Sequence, residues 1–172
     1  MKIRMDFVTN SSSSSFIIGK AKQNNYTNLS KAFAHWYLGS FCDIDNQDIG
    51  ESIIDGDGDN GVDAIIHIND TIILYQFKFP DKISNLLKKI DEKTSLKLIN
   101  GYKKLTSSRK PRKANENFLN FREIVKSENI FNYEFVFVSF SDGLSTNADD
   151  AIETEFQNLK ELTGNTLKVR VE

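Results

Sequence analysis

The chain has little cysteine and no long apolar run, and each shortage excludes a class of protein. Its 172 residues contain one cysteine, Cys42, which excludes an internal disulfide and a zinc cluster and fits a reducing cytoplasm. No apolar run is long enough to span a bilayer, so no membrane partner is expected. A serine run at 11–15 stands where a secretion signal needs its apolar centre. We therefore expect a soluble, cytoplasmic protein.

Length and composition predict one domain. With 39% hydrophobic residues and 13 phenylalanines, the chain can bury one ordinary core. We divide it into a polar N-terminal segment with the serine run, 1–28, and an α/β domain, 29–172.

The net charge of −2 is unevenly distributed. Eleven basic and two acidic residues lie between Lys82 and Lys113, a net +9 that leaves −11 for the remainder. Such a segment can attract a polyanion, and a solvated helix face is the ordinary alternative. The stretch "SSRKPRK" at 107–113 favours phosphate contacts, because a basic loop is a poor structural element. The predicted nucleic-acid contacts are Lys104, Arg109, Lys110, Arg112 and Lys113.

The stretch "NGVDAIIHINDTIILYQFKF", at 60–79, predicts a β-hairpin with Asn69 and Asp70 as its turn. Residues whose numbers add to 139 then face one another, which sets Asp63 opposite Gln76. Lys78 shares the face of Gln76 and lies on the diagonal from Asp63. Both faces are otherwise apolar, so we expect this strand pair in the middle of a sheet covered by helices. The face away from Asp63 is expected to carry Val62, Ala64, Ile66, Ile68, Ile73, Tyr75 and Phe77.

Helical spacing elsewhere completes an α/β pattern. A core helix is predicted through "KAFAHWYLGSFC", with Phe33 and Tyr37 among its apolar residues, and a short helix at 46–52. One helix is predicted to begin at Asp81 and run to about residue 105 with Ile83, Leu87 and Ile90 on its apolar stripe. Further helices are expected at 114–126 and up to Gly164, with strands at 133–140 and 166–171. The order predicts helices on a mixed central sheet.

The loop "DGDGDNGVD", at 55–63, matches two familiar motifs without satisfying either. Its G-x-G-x-x-G leads into a strand instead of a helix, which excludes a dinucleotide loop. Asp55, Asp57, Asp59 and Asp63 have calcium-loop spacing, but Ile66 stands where the bidentate glutamate belongs. The remaining interpretation is the approach to a divalent-metal site, in which Asp63 and the Gln76 carbonyl are ligands.

The segments "DNGVD" and "YQFKF", at 59–63 and 75–79, resemble the D…QxK variant of the PD-(D/E)xK nuclease superfamily. Their surroundings are most similar to the N-terminal domain of abortive infection phage resistance (AIPR) proteins, and more distantly to Mrr-like restriction endonucleases. The resemblance implies a restriction-endonuclease-like three-layer sandwich with an αβββαβ core. It also implies phosphodiester hydrolysis that depends on Mg²⁺ or Mn²⁺.

The same resemblance implies the site residues. Asp63, Gln76 and Lys78 would be catalytic, and Asp63, Gln76 and the Phe77 carbonyl would bind the metal. Members of the superfamily often place a glutamate on the first helix, and this first helix has none. Glu51 and Asp59 are the nearest substitutes, and Asp59 is taken as the further metal ligand.

The leading hypothesis is a DNA endonuclease domain in bacterial defence against phage or foreign DNA. One alternative is a catalytically inactive nucleic-acid-binding domain with the same fold, and another is an interaction domain in which Asp63 and Lys78 form a structural ion pair. RNA as a substrate, a homodimer and a further C-terminal domain stay open, the last because AIPR proteins are longer.

Overall fold

The computed structural model describes residues 29–42, 44–79, 88–141 and 143–172, and the polar segment predicted at 1–28 lies outside them. The described residues form five helices and four strands. In chain order these are α1 (Leu29–Phe41), α2 (Asn46–Ser52), β1 (Ala64–Ile68), β2 (Thr71–Lys78), α3 (Glu92–Thr106), α4 (Glu116–Ser127), β3 (Asn132–Ser139), α5 (Thr146–Thr163) and β4 (Thr166–Val171). None of these helices is both long and apolar enough to cross a bilayer.

The four strands form one mixed sheet in the order β1-β2-β3-β4. β1 and β2 are antiparallel, with Ala64 opposite Tyr75 and Ile68 opposite Thr71, which confirms the predicted register. β2, β3 and β4 are parallel neighbours. Parallel strands need long crossovers, and α3 with α4 supplies the first and α5 the second.

Only one of the two hairpin strands lies in the interior of the sheet. β2 lies between β1 and β3, as predicted, but β1 is the edge strand of the described sheet. Among the described residues, the free side of β1 is paired at one end only, where Ile53 forms an isolated antiparallel bridge with Ala64. The prediction that β1 lies in the middle of the sheet was therefore wrong. Its two apolar faces are explained by the helices that cover both faces of the sheet, and they do not require a strand on each side of β1.

Helices cover both faces of the sheet, so the predicted α/β architecture with a mixed central sheet is present. One apolar cluster lies between the sheet and α1 with α2, and it includes Phe33 and Tyr37 as predicted. The larger cluster lies between the opposite face and α3, α4 and α5. Val62 belongs to this larger cluster, not to the face predicted for it, because it precedes β1 and does not follow the strand's alternation.

Among the described residues, the helix predicted from Asp81 begins at Glu92, eleven residues after Asp81. Asp91 is its N-cap and accepts a hydrogen bond from the Thr94 N–H at 2.8 Å. The Ile90 N–H donates to the Gly143 carbonyl, and the Ile90 carbonyl accepts from the Ser145 N–H. These two bonds hold Ile90 in a parallel bridge, so it cannot also be helical. Ile83 and Leu87 lie outside the described residues.

A buried arginine holds the end of α3. Arg122 of α4 is only 1% exposed and donates to the carbonyls of Lys104 at 2.5 Å, Leu105 at 3.3 Å and Ser108 at 3.2 Å. The last carbonyls of a helix lack partners within the helix, and a cation is favourable beside them. Arg122 therefore fixes the point at which the chain leaves α3 for the basic loop.

We expect Arg122→Met to lower the free energy of unfolding by about 2–4 kcal/mol, because it leaves buried carbonyls without donors. Urea unfolding measures the change. Lys126→Met, on the exposed side of the same helix, should change it by less than about 0.5 kcal/mol. Equal effects of the two substitutions would contradict the role given to Arg122.

Candidate functional site

The backbone of Asp63 joins three segments just before β1. Its N–H donates to the Tyr75 carbonyl of β2 at 2.9 Å. Its carbonyl accepts from the N–H groups of Ile54 and Asp55 at 2.9 and 3.0 Å. Asp63 is thus fixed between β2 and the segment that precedes the aspartate loop.

The Asp63 side chain lies against Gln76, as the predicted register requires. Its Oδ2 accepts from the Gln76 amide nitrogen and, at 2.7 Å, from the Phe77 N–H. Asp63 and Gln76 are 7% and 5% exposed. Because β1 has not yet begun at this level, the carboxylate supplies Phe77 with the acceptor that a neighbouring strand would otherwise provide.

The other end of the Gln76 amide finds no hydrogen-bond partner in the part of the chain that the structure describes. Its Oε1 is buried and accepts no hydrogen bond from the described residues. A buried amide oxygen left unpaired costs roughly 1–3 kcal/mol, so it indicates a place where a donor or a cation would bind favourably.

Two further carboxylates complete an acidic cluster. Asp55, Asp59 and Asp63 each have a carboxylate oxygen within 4.8 Å of the other two. Asp59 is the ligand predicted in place of the missing helical glutamate, whereas Glu51 is exposed on α2 and does not belong to the cluster. Asp55 was missed as a ligand. The apolar pair before it, Ile53 and Ile54, was the available signal that this segment adds to the edge of β1.

The donor set fits a hard divalent cation. Three carboxylates and one amide oxygen are the ligand types that Mg²⁺, Mn²⁺ and Ca²⁺ prefer, and no sulfur or imidazole ligand belongs to the cluster. The Phe77 backbone touches the same carboxylate through its N–H. Since the N–H and C=O of a strand residue point to one side, its carbonyl also lies on the β1 side of β2.

The aspartate loop, 55–61, is held by close backbone contacts. A Cβ at Gly61, where φ is +96°, would lie 2.6 Å from the Lys97 carbonyl oxygen of α3. A Cβ at Gly58 would lie 2.6 Å from the Asn115 backbone nitrogen. These positions require glycine, because α3 and the start of α4 approach too closely for any side chain.

Asn115 connects this loop to α4, a role that the sequence did not reveal. Its side-chain oxygen caps α4 by accepting from the Phe118 N–H, and its side-chain nitrogen donates to the Ile54 carbonyl at 2.7 Å. Its backbone N–H donates to the Gly58 carbonyl at 3.1 Å. The N-cap residue of α4 is therefore positioned by the aspartate loop itself.

The basic loop, 107–113, lies beside the aspartate loop. The Asn60 side chain donates to the Lys113 carbonyl at 3.1 Å, and the Lys113 ammonium lies 2.6 Å from an Asp57 carboxylate oxygen. All five predicted nucleic-acid contacts are exposed. Apart from Lys113, none of their side chains forms an ion pair with another described residue. These four are Lys104, Arg109, Lys110 and Arg112.

Lys78 and Lys97 behave differently. Lys78 ends β2 on the face of Gln76 but is exposed, and after the hydrogen bonds from Thr94 its charge also lowers the pKa of Asp91. It forms no ion pair with Asp63, so the structural pair considered from the sequence is not what satisfies this carboxylate. Lys97 of α3 approaches instead, with its ammonium 3.9 Å from Asp59 Oδ2.

Burial raises the pKa of Asp63 from 3.8 to about 7. The Phe77 hydrogen bond and the Lys97 charge lower this pKa, whereas Asp55 and Asp59 raise it. Near neutral pH the carboxylate is therefore close to the point at which a cation would displace its proton.

No protein-family model, curated protein or solved structure matches the chain. The function therefore has to follow from the geometry of the site and from the short motifs that lie in it.

In the metal-free protein, we expect the contribution of Asp63 to stability to depend on pH. A folded pKa of about 7 against 3.8 makes this contribution greatest below pH 3.8, and it is lost as the pH rises through 7. Asp63→Asn should match wild type near pH 4 and exceed its free energy of unfolding by about 2–4 kcal/mol at pH 8. Urea unfolding with a chelator present measures the difference.

Asp150→Asn is the control, because Asp150 is an exposed carboxylate on α5. The difference in free energy of unfolding between Asp150→Asn and wild type should not grow with pH. A difference between Asp63→Asn and wild type that stays constant from pH 4 to 8 would contradict the raised pKa.

Proposed function

We propose that the chain is a metal-dependent phosphodiesterase acting on nucleic acid, and specifically the DNA endonuclease predicted from its sequence. The observation that carries the proposal is the unpaired, buried Gln76 Oε1 beside the Asp63 carboxylate. An acidic cluster alone would be ordinary. A buried amide oxygen without a donor at the same place favours a bound cation.

Asp55, Asp59, Asp63 and Gln76 would hold Mg²⁺ or Mn²⁺ at this site. When bound, the ion would activate water and offset the negative charge that develops on the phosphate. Asp63 is held in one orientation by its bonds to Gln76 and Phe77, so its ligand geometry is preorganised. Lys78 is proposed to stabilise the transition state from the solvent side of the same face.

The basic loop supports nucleic acid as the substrate. Asn60 donates to the Lys113 carbonyl and the Lys113 ammonium pairs with Asp57, so the basic loop adjoins the loop that carries Asp55 and Asp59. A polyanion bound along this loop would carry its phosphates past the proposed metal ligands. DNA as the substrate and a role in defence are both proposed from the resemblance to AIPR proteins and restriction endonucleases, with RNA as the alternative substrate.

The described topology is compatible with the proposed restriction-endonuclease-like fold. The Ile53–Ala64 bridge supplies a short partner on the free side of β1, where the first strand of an αβββαβ core would lie. The hairpin then corresponds to the next two strands and β3 to the last.

We expect wild-type protein to cleave DNA of mixed sequence only with Mg²⁺ or Mn²⁺ present. Asp63→Asn and Gln76→Ala should each reduce cleavage at least a hundredfold, because the first removes the charge of one ligand and the second removes the amide oxygen of another. Gln76→Glu should retain metal binding and show a rise in melting temperature on adding Mg²⁺. Gel electrophoresis and thermal melting provide the two readouts, and single-stranded RNA is tested in parallel.

Gln47→Glu, an exposed substitution on α2, controls for the added charge. If Gln76→Glu loses stability that Mg²⁺ does not restore, Gln76 is structural and the metal site is wrong. Tight DNA binding without cleavage by wild type would favour the alternative of an inactive binding domain, for which the neutral Gln76 is the supporting observation.

Charge neutralisation in the basic loop tests the nucleic-acid surface separately. Replacing Arg109, Lys110 and Arg112 with glutamine should weaken DNA binding for every sequence. It should also reduce the slope of log K against log salt concentration by the share of roughly three phosphate contacts. Fluorescence anisotropy across a salt series measures both quantities. The charge-matched control replaces Lys126, Lys160 and Lys168, which lie on α4, α5 and β4. Equal salt slopes for the two triple variants would make the basic loop ordinary solvated surface.

A further inference from the structure

The Lys97 side chain approaches the acidic cluster from a backbone position that is fixed within α3. Lys97 lies in the second turn of α3, and its backbone carbonyl is in close contact with Gly61 of the aspartate loop. Its ammonium lies 3.9 Å from Asp59 Oδ2, and half of its side chain is exposed. The root of the side chain is thus fixed, whereas its charged end can move between the cluster and solvent.

Asp59 is arranged to face this lysine. Its Oδ1 accepts from the Gly61 N–H at 2.7 Å, which fixes the carboxylate within the loop. Its Oδ2 is the atom nearest to Lys97 and belongs to the same carboxylate that would bind the metal. The lysine and a divalent cation therefore face the same group.

We propose that Lys97, which the QxK motif does not contain, is a second functional lysine of the site. It compensates Asp59 when no divalent cation is bound and contacts a non-bridging phosphate oxygen when one is. The inference rests on the proposed function for its second half, and the first half stands on the ion pair alone.

The exchange follows from charge. A divalent cation among the three aspartates repels a nearby ammonium, and the long flexible stem of lysine lets it turn outward without moving α3. Gly61, which lies against the Lys97 carbonyl, follows Asn60, and Asn60 donates to the Lys113 carbonyl of the basic loop, so the aspartate loop connects Lys97 with the loop along which a phosphodiester would approach. An ordinary surface ion pair of this length would change neither metal binding nor cleavage appreciably.

Manganese binding tests the first half without any need for activity. By calorimetry at pH 8.5, Lys97→Met should bind Mn²⁺ at least about threefold more tightly than wild type, because a competing cation is removed. Lys97→Arg should bind with nearly wild-type affinity. Lys160→Met, an exposed control on α5, should leave the affinity unchanged. An affinity that is unchanged in Lys97→Met overturns the inference, whatever the activity of the protein.

Cleavage at saturating Mn²⁺ tests the second half. Lys97→Met should cleave DNA at least tenfold more slowly despite its tighter metal binding, and Lys97→Arg should recover most of the rate. A merely structural lysine would instead weaken metal binding and cleavage together. Tighter metal binding with unchanged cleavage overturns the phosphate contact. If wild type does not cleave at all, the proposed function fails, and the Mn²⁺ titration still decides the competition at Asp59.

Discussion

The burial of the Asp63 carboxylate is the constraint on which the site depends. A carboxylate at 7% exposure needs hydrogen bonds, and it obtains them from Gln76 and from the Phe77 backbone at the end of β2. Its own backbone meanwhile pairs with Tyr75 on one side and with Ile54 and Asp55 on the other. The same residue that closes the hairpin thus brings the aspartate loop back over it, so Asp55 and Asp59 gather around a single buried charge.

The uneven charge of the sequence becomes a local arrangement in the fold. The acidic and basic loops are far apart along the chain, yet Asn60, Asn115 and the Lys113–Asp57 ion pair hold them side by side. Alone, the acidic loop would repel a phosphate and the basic loop would attract one. A cation bound by the aspartates would remove the conflict, since it would turn the acidic half into a second point of attraction. Both loops could then contact one nucleic-acid backbone.

Local patterns predicted what local interactions determine. The two-residue turn set the register of the hairpin and hence the contact of Asp63 with Gln76. Contacts between segments distant in the chain could not be predicted from these patterns. The parallel bridge of Ile90 with Leu144 shortened α3, Arg122 turned inward to meet carbonyls of another helix, and Asp55 joined the cluster through pairing that spans the aspartate loop. Each depends on tertiary placement that hydrophobic periodicity does not record.

The neutral Gln76 does not by itself weaken the case for a metal. A site with one aspartate and one glutamine would carry a single charge and would attract a divalent cation poorly. Here Asp55 and Asp59 bring the formal charge of the fully ionised cluster to −3, and in the metal-free protein Lys97 offsets part of that charge. In the metal-free protein, an additional carboxylate at position 76 would instead add an uncompensated charge at 5% exposure, next to a carboxylate whose pKa burial has already raised. A neutral oxygen ligand is therefore the group that this crowded position accommodates best.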